Sequence, residues 1–115
     1  MSQPKDDGLY LVHIVECIDL IEVYVEDRPD KVLEDAMVRD AVLRNLQTLA
    51  ESTQRLSSDL KARYAQIDWA GIAGFRNQLV HGYLGIDEQT IVEVIVNDLP
   101  PLKATVLDAL VNLKK

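Results

Sequence analysis

Helix breakers are scarce in this chain, and their positions leave little room for anything but helix between them. Prolines stand only at positions 4, 29, 100 and 101, and glycines only at 8, 71, 74, 82 and 85. Proline inside a helix removes a backbone bond, and glycine weakens it by about 1 kcal/mol, so long stretches free of both are open to helix. No stretch shows the sustained alternation of a half-buried strand; apolar residues recur instead at steps of three and four.

Four helical segments follow from that spacing. From about Asp7 to Val25, Leu9, Val12, Cys17, Leu20, Ile21 and Tyr24 predict one broad buried face, with Asp6 or Asp7 as the cap. Pro29 closes this segment. A second helix runs from near Asp30 to about Leu56. Its Val38, Val42, Leu46, Leu49, Thr53 and Leu56 step by four, four, three, four and three, the spacing of a bundle seam. Residues 31–37 read either as its first turns or as a separate short helix. Ser57-Ser58-Asp59 ends it, and Leu60 to Tyr64 form a further turn. A third, shorter helix is capped by Asp68 and carries Ile72, Phe75, Leu79 and Val80 as its apolar stripe, with Tyr64 and Trp69 packed at its start. Gly71 and Gly74 are expected at a close helix contact, and Gly82 and Gly85 at the stop. The fourth begins after Asp87. Ile91, Ile95, Leu99, Leu102, Val106, Leu110 and Leu113 keep phase across Pro100-Pro101, which predicts a kinked or broken helix whose two halves share one buried face. The expectation is an all-α fold, an up-and-down four-helix bundle in a single domain over residues 1–115.

Charge and cysteine content narrow the function. Twelve Lys and Arg stand against 19 Asp and Glu, a net charge of −7. That balance argues against a sequence-blind hold on a phosphate backbone, which needs clustered cations. The acidity is uneven: residues 1–30 carry two positive and eight negative side chains, and residues 65–99 carry one positive and five negative. The lone cation of that second stretch is Arg76. Cys17 is the only cysteine, so no intramolecular disulfide can form. With His13 and His81 the only histidines, no metal-ligand set is apparent, and neither metal nor cofactor is expected. Cys17 reads as a small core residue and His13 as a structural or solvated one. No apolar run reaches about 18 residues, so no membrane span is expected. Met1 to Asp7 lack an apolar signal core, and a cytoplasmic location is the expectation.

The stretch Gly74-Phe75-Arg76-Asn77-Gln78-Leu79-Val80-His81-Gly82-Tyr83 concentrates chemistry. A histidine near neutral pKa can take or give a proton, and an arginine can neutralise charge building on phosphate oxygens. RNA brings its own nucleophile, the 2′-hydroxyl, so Arg76 and His81 suit metal-free RNA cleavage. Five residues on a helix place them about 140° apart around the axis. They converge only if the helix unwinds, for which Gly82 offers a place, or if a two-fold dimer contributes a second copy. The competing reading is structural, since Arg and His near a helix end often bond its last carbonyls.

Arg76-Asn77-Gln78-Leu79-Val80-His81-Gly82-Tyr83 resembles the R-x4-H-x-Y motif of HepT-type HEPN proteins. Asp40 to Leu46 resembles that family's second-helix segment. Ile67-Asp68-Trp69 and Gly85-Ile86-Asp87 resemble its flanking turns, and Asp98-Leu99-Pro100 the break in its last helix. The resemblance covers about Leu9 to Leu113. It implies the toxin of a type VII toxin–antitoxin system, a homodimeric, metal-independent ribonuclease with a composite site between protomers. By the motif, Arg76 and His81 would be the catalytic pair and Asn77 would position substrate. The implied antitoxin is a minimal nucleotidyltransferase that silences the toxin by transferring AMP to the motif tyrosine, here Tyr83. Arg39, Arg44 and Arg55 are expected to line an RNA-binding dimer groove. The alternative from a different class is a non-catalytic helical module that docks a nucleotidyltransferase or binds nucleotide.

Overall fold

Two long helices carry the centre of the fold because each has a continuous apolar seam. The structure, a computed structural model, describes residues 6–82 and 85–113. In chain order the helices are α1 (Asp7–Val25), α2 (Lys31–Glu34), α3 (Ala36–Gln54), α4 (Ser58–Arg63), α5 (Trp69–Gly82), α6 (Glu88–Glu93) and α7 (Leu99–Leu113). A π-helical turn, Val94–Asp98, joins α6 to α7. Among the described residues all regular structure is helical. α1 packs against both α3 and α7, and α3 packs against α5. α1, α3, α5 and the α6–α7 rod are thus the four members of the bundle.

The seam of α3 buries Val42, Leu46, Leu49 and Thr53, as its spacing predicts. Of the two readings of its start, the separate short helix is the one realised. Asp35 has an extended backbone and its side chain accepts from the N–H groups of Met37 and Val38, so it caps α3 and cuts α2 off as a separate turn. Each fully buried Leu or Ile contributes about 1.5–3 kcal/mol, so the seam outweighs any single cap.

α1 has the predicted bounds, and Cys17 and Ile21 are buried as expected, but the rest of its buried face lies elsewhere. Leu11, Ile14, Ile18 and Ile21 have no exposed surface, together with nearly buried Cys17 and Val25. Leu9, Val12 and Leu20 are exposed. The helix is apolar on two sides, so periodicity alone could not choose between them. The expected side-chain cap is also absent: Asp6 forms no side-chain cap bond. Asp7 is fully buried, and its carboxylate accepts from the Ser57 backbone N–H at 2.8 Å and the Ser57 hydroxyl at 2.7 Å. The same hydroxyl caps α4 by accepting from the Leu60 N–H. His13 is exposed and shares a hydrogen bond with the Ser52 hydroxyl, a structural role.

The last helix is interrupted by a wider turn just ahead of its proline pair. The Leu99 N–H bonds the Val94 carbonyl, one residue beyond the usual α partner. α7 then starts afresh, with Pro100 and Pro101 in its first turn, where missing N–H groups cost least. Ile91, Ile95, Leu99, Leu102 and Val106 are all buried along one face. Leu113, placed in the same seam by spacing, is exposed at the helix end.

Two outcomes test this packing. Asp7→Ala is expected to lower unfolding stability in urea by roughly 2–4 kcal/mol, because charged hydrogen bonds are lost and the buried Ser57 N–H is left unmet. The Cys17 thiol is pushed above its ordinary pKa by burial and then by Glu16. Its alkylation by iodoacetamide at neutral pH should therefore be far slower in the native protein than in urea, as read by mass spectrometry.

Candidate active site

The motif rides on a helix held at its start and buried near its end. Asp68 begins α5 by accepting from the Gly71 N–H at 2.9 Å. A Cβ on Gly71 would run into the Asp68 carboxylate, so glycine here makes room for the cap. Gly74 has nothing within 4 Å of where a Cβ would stand, so the helix contact expected there is not made among the described residues. The Trp69 ring N–H donates to the carbonyls of Lys61 and Tyr64, fastening α5 to α4. Leu79 is the buried anchor two residues before His81.

Arg76 is not free in this fold. Its Nη2 lies 3.2 Å from a Glu51 carboxylate oxygen on α3, and its Nη1 donates to the Asn77 side-chain carbonyl at 3.3 Å. Gln47 supports the pair by donating to Glu51 at 3.4 Å. The Arg76 side chain is 28% exposed, and its Nε is buried without a hydrogen-bond partner among the described residues. A carboxylate neighbour fixes the guanidinium and screens its charge. Glu51 is the residue that sequence reasoning missed. It lies on the polar flank of the α3 seam and reads as solvated until α5 is laid against it. The one usable signal was that Arg76 is the only cation of its stretch and needs a counter-charge.

His81 occupies a different setting. It is exposed and lines a shallow groove of about 700 Å3 with Asn77, Gln78, Gly85, Ile86, Asp87 and Thr90, between the end of α5 and the start of α6. α5 stays helical through His81 and Gly82, so the unwinding considered at that point does not occur. Arg76 and His81 therefore remain about 140° apart around one axis. Asn77 belongs to both settings, bonding Arg76 while lining the groove of His81. Tyr83 lies outside the described residues. A second groove, about 470 Å3 and mainly apolar, opens between α3, α5, the π turn and α7, with Leu49, Ile72, Phe75 and Leu102 in its walls.

Arg39, expected in an RNA-facing groove, is committed to structure. It donates to the Val32 carbonyl at 2.8 Å and pairs with Glu88 at 3.5 Å. Arg44 and Arg55 are exposed. Among the described residues no group of three or more His, Cys, Asp or Glu side chains is placed to hold a metal ion. No helix of the described residues is long and apolar enough to cross a membrane.

Comparison with known proteins identifies the family. The family model described as "Ribonuclease HepT-like" matches residues 14–108. The chain is 34% identical over 112 residues to a Methanocaldococcus jannaschii protein named "Gamma-glutamylcyclotransferase and putative RNase", covering 96% of this chain and 50% of that one. It therefore spans half the length of that relative. It is 32% identical over 95 residues to the "Probable ribonuclease HepT" of Thermococcus cleftensis, covering 82% of this chain and 86% of the relative. It is 30% identical over 102 residues to an RNase-named protein of Caldanaerobacter subterraneus, with 88% and 91% covered. No solved structure matches the chain. A helical chain whose motif helix is matched along with the rest of the bundle belongs to the HepT-like ribonuclease family.

The Arg76–Glu51 pair is partly exposed, so it should contribute little to stability. Glu51→Gln is expected to change unfolding free energy by under about 1 kcal/mol. The same variant should strengthen the response of the Arg76 side-chain NMR resonances to added inorganic pyrophosphate, by releasing the cation.

Proposed function

We propose that this protein is an endoribonuclease toxin that acts as a homodimer, with Arg76 and His81 of paired α5 helices forming a composite site. The observation that carries this reading is the placement of the motif cation and imidazole on one unbroken helix, about 140° apart. One phosphate cannot be held by both from a single α5, whereas a two-fold partner supplies the missing side chain. Family membership and the ribonuclease names of its relatives support the reaction class.

The chemistry follows from the substrate. The 2′-oxygen of RNA attacks the adjacent phosphorus, and the bond to the 5′-oxygen of the next nucleotide breaks. The 2′-hydroxyl loses its proton and the leaving 5′-oxygen gains one, giving a 2′,3′-cyclic phosphate and a 5′-hydroxyl. His81 takes or gives one of these protons. Arg76 binds the phosphate oxygens as their charge rises, and to do so exchanges Glu51 for substrate. Asn77 steadies Arg76 and positions the substrate beside His81. No step calls for a metal-activated water.

Silencing is proposed at Tyr83, the last position of the motif. A nucleotidyltransferase antitoxin would join the Tyr83 phenol oxygen to the α-phosphorus of ATP, releasing pyrophosphate and leaving a phosphodiester anion. That anion competes with RNA phosphate for Arg76.

The direct test is incubation of the protein with total RNA in chelator. His81→Ala and Arg76→Ala should each slow cleavage by at least about 100-fold while circular dichroism stays native. Cleavage that continues unchanged in either variant overturns the assignment. Absence of cleavage in wild type and variants alike moves the protein to the class of non-catalytic docking modules. For silencing, Tyr83→Phe should accept no AMP from ATP and the paired nucleotidyltransferase; labelling equal to wild type removes Tyr83 from the scheme.

A further inference from the structure

α1 carries two apolar faces, and the fold consumes one. Opposite the buried Leu11, Ile14, Ile18 and Ile21, the side chains of Leu9, Val12, Leu20 and Val23 lie exposed, Leu9 by 69% and Val23 by 66%. At 100° per residue these four fall within an arc of about 80°, centred opposite the core. α7 adds to the same surface. Its Lys103 reaches Asp19 at 2.8 Å and Glu22 at 3.2 Å, which fixes how α7 lies along α1. Leu107 and Val111, both exposed, follow Lys103 by one and two turns, while Val12 and Val23 stand seven before and four after Asp19. The two apolar stripes therefore flank one seam and face the same way. Single exposed Leu or Val residues are ordinary on a soluble protein, but six in adjoining stripes mark an interaction surface.

Charge selects the occupant. Residues 7–25 contain four carboxylates and no Lys or Arg. Asp7 is buried, but Glu16 falls inside the exposed arc and Asp19 and Glu22 border the seam, with Lys103 as the facing cation among the described residues. A second copy would set these carboxylates against themselves, and an anionic lipid surface would be repelled. A seam between two helices accepts a third helix by ridge-into-groove packing. We propose that the α1–α7 face docks a partner protein through an amphipathic helix whose apolar ridge is flanked by Lys and Arg. None of these residues belongs to the site at α5, so this surface stands independently of the ribonuclease reading.

The test uses the full chain and two synthetic helical peptides with one leucine pattern, flanked in one by lysine and in the other by glutamate. Each is titrated onto the protein and followed by backbone NMR. The lysine peptide should bind, shift the resonances around Val12, Val23, Leu107 and Val111, and lose affinity as salt rises. Val23→Asp with Leu107→Asp should weaken it at least about tenfold, and Glu16→Lys several-fold, with circular dichroism unchanged. Equal binding of the glutamate peptide, shifts mapping elsewhere, or unaltered affinity in the double variant overturns the proposal. So does loss of a wild-type dimer in the double variant by sedimentation, which would make the face a self-interface. Co-sedimentation with phosphatidylglycerol vesicles that the double variant abolishes also overturns it.

Discussion

A carboxylate with no exposed surface ties the first turn of α1 to the first turn of α4, fifty residues later. Asp7 accepts both polar hydrogens that Ser57 can offer, and it does so at the N-terminus of α1, where unpaired N–H groups favour an anion. Its charge also reaches Lys61. Burial pulls the Lys61 pKa below its ordinary value, and Asp7 offsets part of that pull. The consequences run along the chain. Ser57 starts α4, and the carbonyls of Lys61 and Tyr64 at the end of α4 hold Trp69, the first residue of α5. α5 carries Arg76 and His81. One buried contact near the beginning of the chain thus sets where the motif helix begins.

Around that contact the apolar seams supply most of the stabilisation and the polar contacts supply register. His13 with Ser52, and Lys103 with Asp19 and Glu22, fix α1 against α3 and α7 at points along its length. At its far end α1 stops in two left-handed residues, Glu26 and Asp27, an unfavourable conformation for non-glycine residues. Lys31 bonds Glu26 at 2.5 Å, and the Arg28 guanidinium bridges to Glu34 at 2.8 Å, so the sharp turn into α2 is held by exposed charge pairs.

Much of this was legible in the sequence, and the misses have specific causes. The bounds of α1 and the seam of α3 follow from spacing, because a buried stripe on one side of a helix leaves a periodic trace. The buried face of α1 was read only in part, right at Cys17 and Ile21 and wrong at Leu9, Val12 and Leu20, because Leu9, Val12, Leu20 and Val23 form a second stripe as regular as the first. Asp7 looked like a cap because a cap and a buried staple require the same residue at the same place. Its partner Ser57 is too distant in sequence for local pattern to reveal. The motif was legible as a string of residues, but the partner of Arg76 was not. Glu51 acquires its role only when two helices meet, and nothing in the polar flank of α3 distinguishes it from its exposed neighbours.

The π turn at Val94–Asp98 gives the last helix a reserve of chain length. It holds one residue more than regular winding would, and it does so before Pro100-Pro101 begins a new first turn. Loss of a single residue from this turn would close it to ordinary winding and leave the rotation of α7 nearly unchanged, with Leu102 and Val106 still in the core and Lys103 still beside Asp19 and Glu22. Loss of a second residue would have no wider turn to draw on, and would rotate everything beyond it by about 100°. The segment can thus give up one residue, and only one, without reorienting α7.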